Sequence, residues 1–146
     1  MSFFDVAMAF TPGSGAFVTK IDLALSHVLG TNNATVQLAR DSGGPPGTVL
    51  RSWSVANQPP FLHCCALTQI NVSPLIPVAA GKRYWLIAIA GPNVLHTTWD
   101  MWNPNTIGQL GPVASNNFGS NGWILSSNAA GEGAFDVIGC KLCKVN

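Results

Sequence analysis

Charge is the scarcest property of this sequence. Charged residues fill 9% of its 146 positions, against roughly 25% in an ordinary soluble domain. Seven basic and six acidic side chains leave a formal net charge of +1, and Glu132 is the single glutamate. So few scattered Lys and Arg make no track for a phosphate backbone, which argues against nucleic acid as a partner. The shortage of Glu and Lys, with no heptads, excludes a long coiled coil. Also missing is any apolar run near the ~18 residues of a membrane-spanning helix; the longest clear run is Tyr84–Ala90. No phosphate-cradling glycine loop is present, because Gly13-Ser14-Gly15 precedes a strand pattern rather than a helix. Low charge does not imply disorder here. Hydrophobic residues reach 47% and mean hydropathy is +0.28, the reverse of the composition that keeps a chain unfolded.

What is present fits one domain. A chain of this size buries roughly 68–70% of its unfolded surface, so a full core is available without staples. A monomer ordinarily keeps charge on its surface for solubility. A surface of Ser, Thr, Asn, Gly and apolar groups points instead to coverage by other subunits or a matrix. Met1–Ala16 has no basic n-region and does not read as a secretory signal. Export then rests on a signal removed from this chain or on another route such as lysis. Cys64, Cys65, Cys140 and Cys143 make an even count in an Asn/Gly/Ser-rich chain, which leans toward an oxidising compartment.

The dominant period is two. Phe17, Thr19, Ile21, Leu23 and Leu25 alternate with Val18, Lys20, Asp22, Ala24 and Ser26, the pattern of a half-buried strand. Ala34–Arg40 and Thr48–Ala56 repeat it. Leu62–Val72, Tyr84–Ala90, Val94–Trp99, Trp123–Ser126 and Ala134–Gly139 are further β-rich runs. Between them lie turn-forming clusters, including Asp41–Gly47, Asn57–Pro60, Ser73–Pro77 and Gly119–Gly122. Asn103–Asn121 is the least regular stretch and reads as a long loop. Eight to ten short strands are expected, with no helix and no long internal repeat. The fold class is all-β: a jelly-roll-like antiparallel β-sandwich in a single domain spanning residues 1–146.

Three segments carry a resemblance. Asp41-Ser42-Gly43-Gly44-Pro45-Pro46-Gly47-Thr48-Val49-Leu50 is a strand end, tight turn and next strand. Ala80-Gly81-Lys82-Arg83-Tyr84-Trp85 is a turn into a core strand, and Gly133-Ala134-Phe135-Asp136-Val137-Ile138-Gly139 a closing strand. In this order and spacing, across roughly Phe10 to Gly139, the chain resembles the secreted bacterial β-sandwich modules called choice-of-anchor domains. The resemblance implies a jelly-roll-like sandwich exported and displayed at the cell surface, and it implies no activity. The chain departs from it in lacking a C-terminal sorting signal and in carrying His63-Cys64-Cys65 and Cys140-x-x-Cys143.

Candidate chemistry is thin. Asp41-Ser42-Gly43-Gly44-Pro45 looks like a serine-protease nucleophile loop, but only 41 residues precede Ser42, too few for a first barrel; it reads as a hairpin turn. The cysteines allow a disulfide from Cys64 or Cys65 to the C-terminal tail, residues 140–146. Closing that loop of about 75 residues stabilises by roughly 4 kcal/mol in the chain-entropy model. Zinc is the sharper alternative: Cys140, Cys143, Cys65 and His63, the last two sharing one face of a strand. Trp99, Trp102 and Trp123 flank an Asn-rich stretch with Asn103 and Asn105, and indole faces with nearby amides make a sugar platform. Trp53 and Trp85 lie in regular strands and read as core. The acids offer Asp100 with Glu132 or Asp136, with no motif behind either pairing.

The expected function is non-enzymatic, with no cofactor and no metal. The leading reading is a self-associating structural subunit of an extracellular or cell-surface assembly, such as a filament, surface layer or virion shell. Its partners would be further copies of the chain. Residues 1–10, with Phe3, Phe4, Val6, Met8 and Phe10, are the candidate edge or exchanged strand; pairing of Val6–Phe10 within its own sheet is the competing reading. The alternative function is a carbohydrate-binding module using Trp99, Trp102, Asn103, Asn105 and Trp123.

Overall fold

The computed structural model describes residues 2–3, 5–63, 66–91, 98–116 and 122–143; for residues 2, 3, 99 and 126–129 it describes the backbone. Twelve strands and no helix appear among them: β1 Ser2–Phe3, β2 Asp5–Phe10, β3 Ala16–Leu23, β4 Leu25–Leu29, β5 Asn33–Asp41 and β6 Pro46–Ala56 in the first part. The second part holds β7 Thr68–Val78, β8 Tyr84–Ala90, β9 Trp99–Trp102, β10 Leu110–Asn116, β11 Ile124–Gly131 and β12 Phe135–Cys140. The chain is an all-β, sandwich-like single domain whose ladders are antiparallel. A six-stranded sheet runs β11-β10-β2-β8-β5-β6, and two three-stranded sheets run β12-β3-β7 and β1-β9-β4. Among consecutive strands, only β5–β6 and β10–β11 pair as hairpins.

Period-two alternation decides which side chains meet in the middle. From the six-stranded sheet come Val6, Met8, Val36, Leu38, Leu86 and Val113, and from β3 and β7 come Val18, Ile21, Leu23, Ile70, Val72 and Val78. Leu25 of β4 and Trp102 of β9 complete the same cluster. Each such side chain, fully removed from water, stabilises by roughly 1.5–3 kcal/mol. The opposite face of the large sheet carries a second buried cluster of Ala7, Ala9, Ala39, Trp85, Ile87 and Ala114, with Ile89, Trp123 and Leu125 packed on it. β8 is therefore apolar on both faces, which accounts for its unbroken hydrophobic run.

Three expectations are corrected. Ser73–Pro77 is not a turn but part of β7. That strand is the edge of its sheet, where proline's missing N–H removes no ladder bond. Residues 103–121 are not one long loop, because Leu110–Asn116 form β10 between β2 and β11. Finally, of the two readings of the N-terminal segment, in-sheet pairing holds for Val6–Phe10, and β2 is not an edge or exchanged strand. It lies between β8 and β10 in its own sheet, with Val6 and Met8 buried and Phe10 partly buried. Those three candidate assembly residues serve the chain's own core. Phe3 belongs to β1, which pairs with β9 of the same chain; Phe4 lies outside the described residues.

Candidate functional site

The turn after β5 shows how the sequence's most enzyme-like motif is used. The Asp41 carboxylate accepts hydrogen bonds from Gly43 N at 3.0 Å and Gly44 N at 3.2 Å. It also accepts one from Trp85 Nε1 at 2.8 Å. Gly43 and Gly44 have φ of 93° and 150°, conformations that require glycine. Burial works to raise the Asp41 pKa, but the donors from Trp85 and the two glycines, with Arg83 nearby, outweigh it and hold the carboxyl below its ordinary range. Ser42 gives its hydroxyl to the Pro45 carbonyl at 3.0 Å. The motif is a hairpin turn.

The proposed sugar platform is not assembled as expected. Trp102 is fully buried. Its indole N–H donates to Ala134 O at 3.0 Å, and its ring meets Phe135 edge-on at 5.9 Å. Strand parity sent it inward, and no indole face is left for a ligand. Asn103 donates its amide to Ser26 Oγ at 2.8 Å. Asn105 closes the loop before β10, accepting from Gln109 N at 2.8 Å and donating to Gln109 O and Glu132 O. Trp123 packs partly buried on the outer cluster of the large sheet. Trp99 begins β9; its side chain lies outside the description.

The cysteine expectation also changes. Cys140 and Cys143 are bonded to each other in a disulfide at the end of β12, not to the strand upstream. Neither can then act as a zinc thiolate. His63 lies in a turn, its N–H donated to Pro60 O at 3.0 Å, rather than on a strand face. Cys64 and Cys65 lie outside the described residues. Among the described residues, no group of three or more metal-ligating side chains gathers, and no helix is long and apolar enough to cross a membrane.

Two polar nodes do form. In the first, His27 Nδ1 lies 3.0 Å from Asp100 Oδ1, joining β4 to β9. Asp100 is fully buried, and its Oδ2 has no hydrogen-bond partner among the described residues. Burial raises the Asp100 pKa, and the His27 hydrogen bond and charge work against that rise. Asp100 is thus committed to His27 rather than to another acid.

The second node lies in a groove of about 650 Å³ between the end of β2, the start of β10 and the free edge of β12. Phe10, Arg83, Gln109, Glu132, Phe135 and Asp136 line it. Glu132 is only 3% exposed. Its N–H donates to Gln109 O at 3.3 Å, and its carbonyl accepts from Asn105 N at 3.1 Å. Burial raises the Glu132 pKa, opposed by a hydrogen bond with the Gln109 side chain. A Cβ on Gly111 would sit 2.1 Å from Glu132 Oε1, so only glycine leaves room for this carboxyl. Smaller hollows of about 230 and 210 Å³ continue the groove at either end, sharing Phe10 and Val137 on one side and Gln109, Glu132 and Phe135 on the other. Sequence reasoning named Glu132 only as an alternative partner for Asp100. The signal for Glu132 was its solitude: one glutamate, between two glycines, in a charge-poor chain.

Comparison with protein-family models, with curated proteins and with solved structures found no match for the chain.

Proposed function

We propose that the protein is a non-enzymatic structural subunit of an extracellular assembly, in which copies of this sandwich pack against one another. The observation that carries this reading is a set of large apolar side chains held in water. Leu62 is 85% exposed, Ile107 81% and Leu142 94%, with Leu29, Leu110 and Ile124 more than half exposed. Single exposed leucines are ordinary. Here they stand on a surface with few charges to keep copies apart. Phe61 and Leu62 are brought to the edge strand that holds Leu29, because Phe61 N donates to His27 O at 2.8 Å. Apolar groups joined at one sheet edge are the material of a contact between subunits. The Cys140–Cys143 disulfide fits an oxidising, extracellular setting. A filament, a surface layer and a virion shell all satisfy these features.

Replacing Leu62 and Ile107 together by serine tests the reading. Both side chains are exposed, so the melting temperature should hold. Sedimentation velocity should shift from large species toward the 15.3 kDa chain. An unchanged distribution for the double variant would remove these residues from the contact.

A further inference from the structure

We propose that the groove beside the free edge of β12 binds a short neutral saccharide, its ring laid on Phe10 and Phe135 and its hydroxyls bonded by Glu132, Gln109, Arg83 and Asp136. This does not depend on the assembly reading, although Leu110 on the groove wall and Ile107 in an adjoining hollow also belong to the exposed apolar set.

The lining selects the ligand class. Phe10 stacks on Tyr84 with centroids 5.8 Å apart and meets Phe135 edge-on at 6.4 Å. Phe135 is in turn braced by Trp102. These contacts hold an aromatic wall in place before any ligand arrives, and the groove's volume falls within the roughly 300–1,000 Å³ of small-ligand sites. Glu132 and Gln109 bond each other and Arg83 lies beside Asp41, but a purely apolar ligand would still strip water from their remaining donor and acceptor positions. An anion would meet the carboxyls of Glu132 and Asp136. A cation would meet the Arg83 guanidinium, which lies 3.9 Å from Asp41 and on the groove wall. A neutral ring with one apolar face and several hydroxyls satisfies every group present: the C–H face meets the phenyl rings, carboxyls and amide accept, and guanidinium and amide donate. Burial leaves Glu132 holding its proton more readily than an ordinary glutamate, so its carboxyl is suited to hydroxyls rather than to a bare charge. The groove runs on into the two flanking hollows, which suits a chain of sugar units rather than an isolated ring.

The test places the whole chain on an array of neutral oligosaccharides and follows the strongest signal by titration calorimetry, with inorganic phosphate and spermidine as comparators. The expected result is saturable binding to a neutral oligosaccharide. Asp136→Ala, at an exposed position, should weaken it at least tenfold with unchanged melting temperature. Gln109→Ala should weaken it as strongly while lowering the melting temperature slightly, because it also removes the side-chain hydrogen bond to buried Glu132. Trp123→Ala should leave it intact. Phosphate and spermidine should give no saturable heat. Absence of binding to any array sugar by folded protein overturns the proposal. So does sugar binding that survives both groove variants, and so does saturable phosphate or spermidine binding that either variant abolishes.

Discussion

Gly133→Ala is the sharpest perturbation the fold offers. A Cβ built on Gly133 would lie 2.4 Å from Cδ1 of Trp102 and 2.6 Å from its Cγ and Nε1. That indole is fully buried, packed on Phe135, and bonded to Ala134 O. It cannot swing into water, so the new methyl must displace the ring or the backbone. Overpacking of this kind costs about 1–3 kcal/mol, and loosening the indole hydrogen bond adds about 1 kcal/mol. The sum, about 3 kcal/mol, lowers Tm by roughly 6–12 °C for a chain of this size. Gly131→Ala is the matched control. It lies two residues away, and a Cβ there meets nothing within 4 Å, so its effect should stay within about 0.5 kcal/mol. Urea unfolding followed by circular dichroism, compared at constant m, measures both. In a Trp102→Leu background the Gly133→Ala cost should fall below about 1 kcal/mol, because the clashing ring is gone. Equal effects of the two glycine substitutions would refute the close approach.

Other predictions follow from the same packing. Trp102→Ala should destabilise by about 3–5 kcal/mol, the cost of emptying a core aromatic site, as read from the urea midpoint; a change under about 1 kcal/mol would contradict its burial. Burial pushes the Asp5 carboxyl from 3.8 up to about 6. The folded chain therefore holds that proton more tightly, a contribution complete below about pH 4 and lost as pH rises through about 6. Solvent screening trims it to roughly 1 kcal/mol, and Asp5→Asn should flatten the pH dependence of the urea midpoint over that interval. An unchanged slope would show that Asp5 is not the group responsible. Replacing Cys140 and Cys143 by serine should cost about 2 kcal/mol or less, because the loop they close is short. A loss near 4 kcal/mol would point to a long-range bridge instead.

The parts legible in the sequence are those where alternation and burial agree. β3, β5, β6 and β8 announce themselves by period two or by an unbroken apolar run, and the Asp41–Gly47 turn by its glycines and prolines. β10 was hidden because Gly111, Pro112, Ser115 and Asn116 are turn-prone residues. It becomes a strand through pairing on both sides, with β2 and β11, a tertiary effect that local propensity does not carry. β7 was shortened by its prolines, whose tolerance depends on being at an edge. The tryptophan platform failed for a simpler reason: composition locates an indole near an amide but not the face it points to. Trp102 pointed inward. The groove around Glu132 draws on β2, β10, β12 and the loops before β8 and β12, segments far apart in sequence, so no spacing could reveal it.

Native mass, measured by light scattering on the purified chain and accompanied by negative-stain images of the same sample, tests the central claim most directly. The assembly reading predicts a mass many times 15.3 kDa and a regular particle, sheet or filament. A homogeneous monomer of that mass with a featureless field would contradict it.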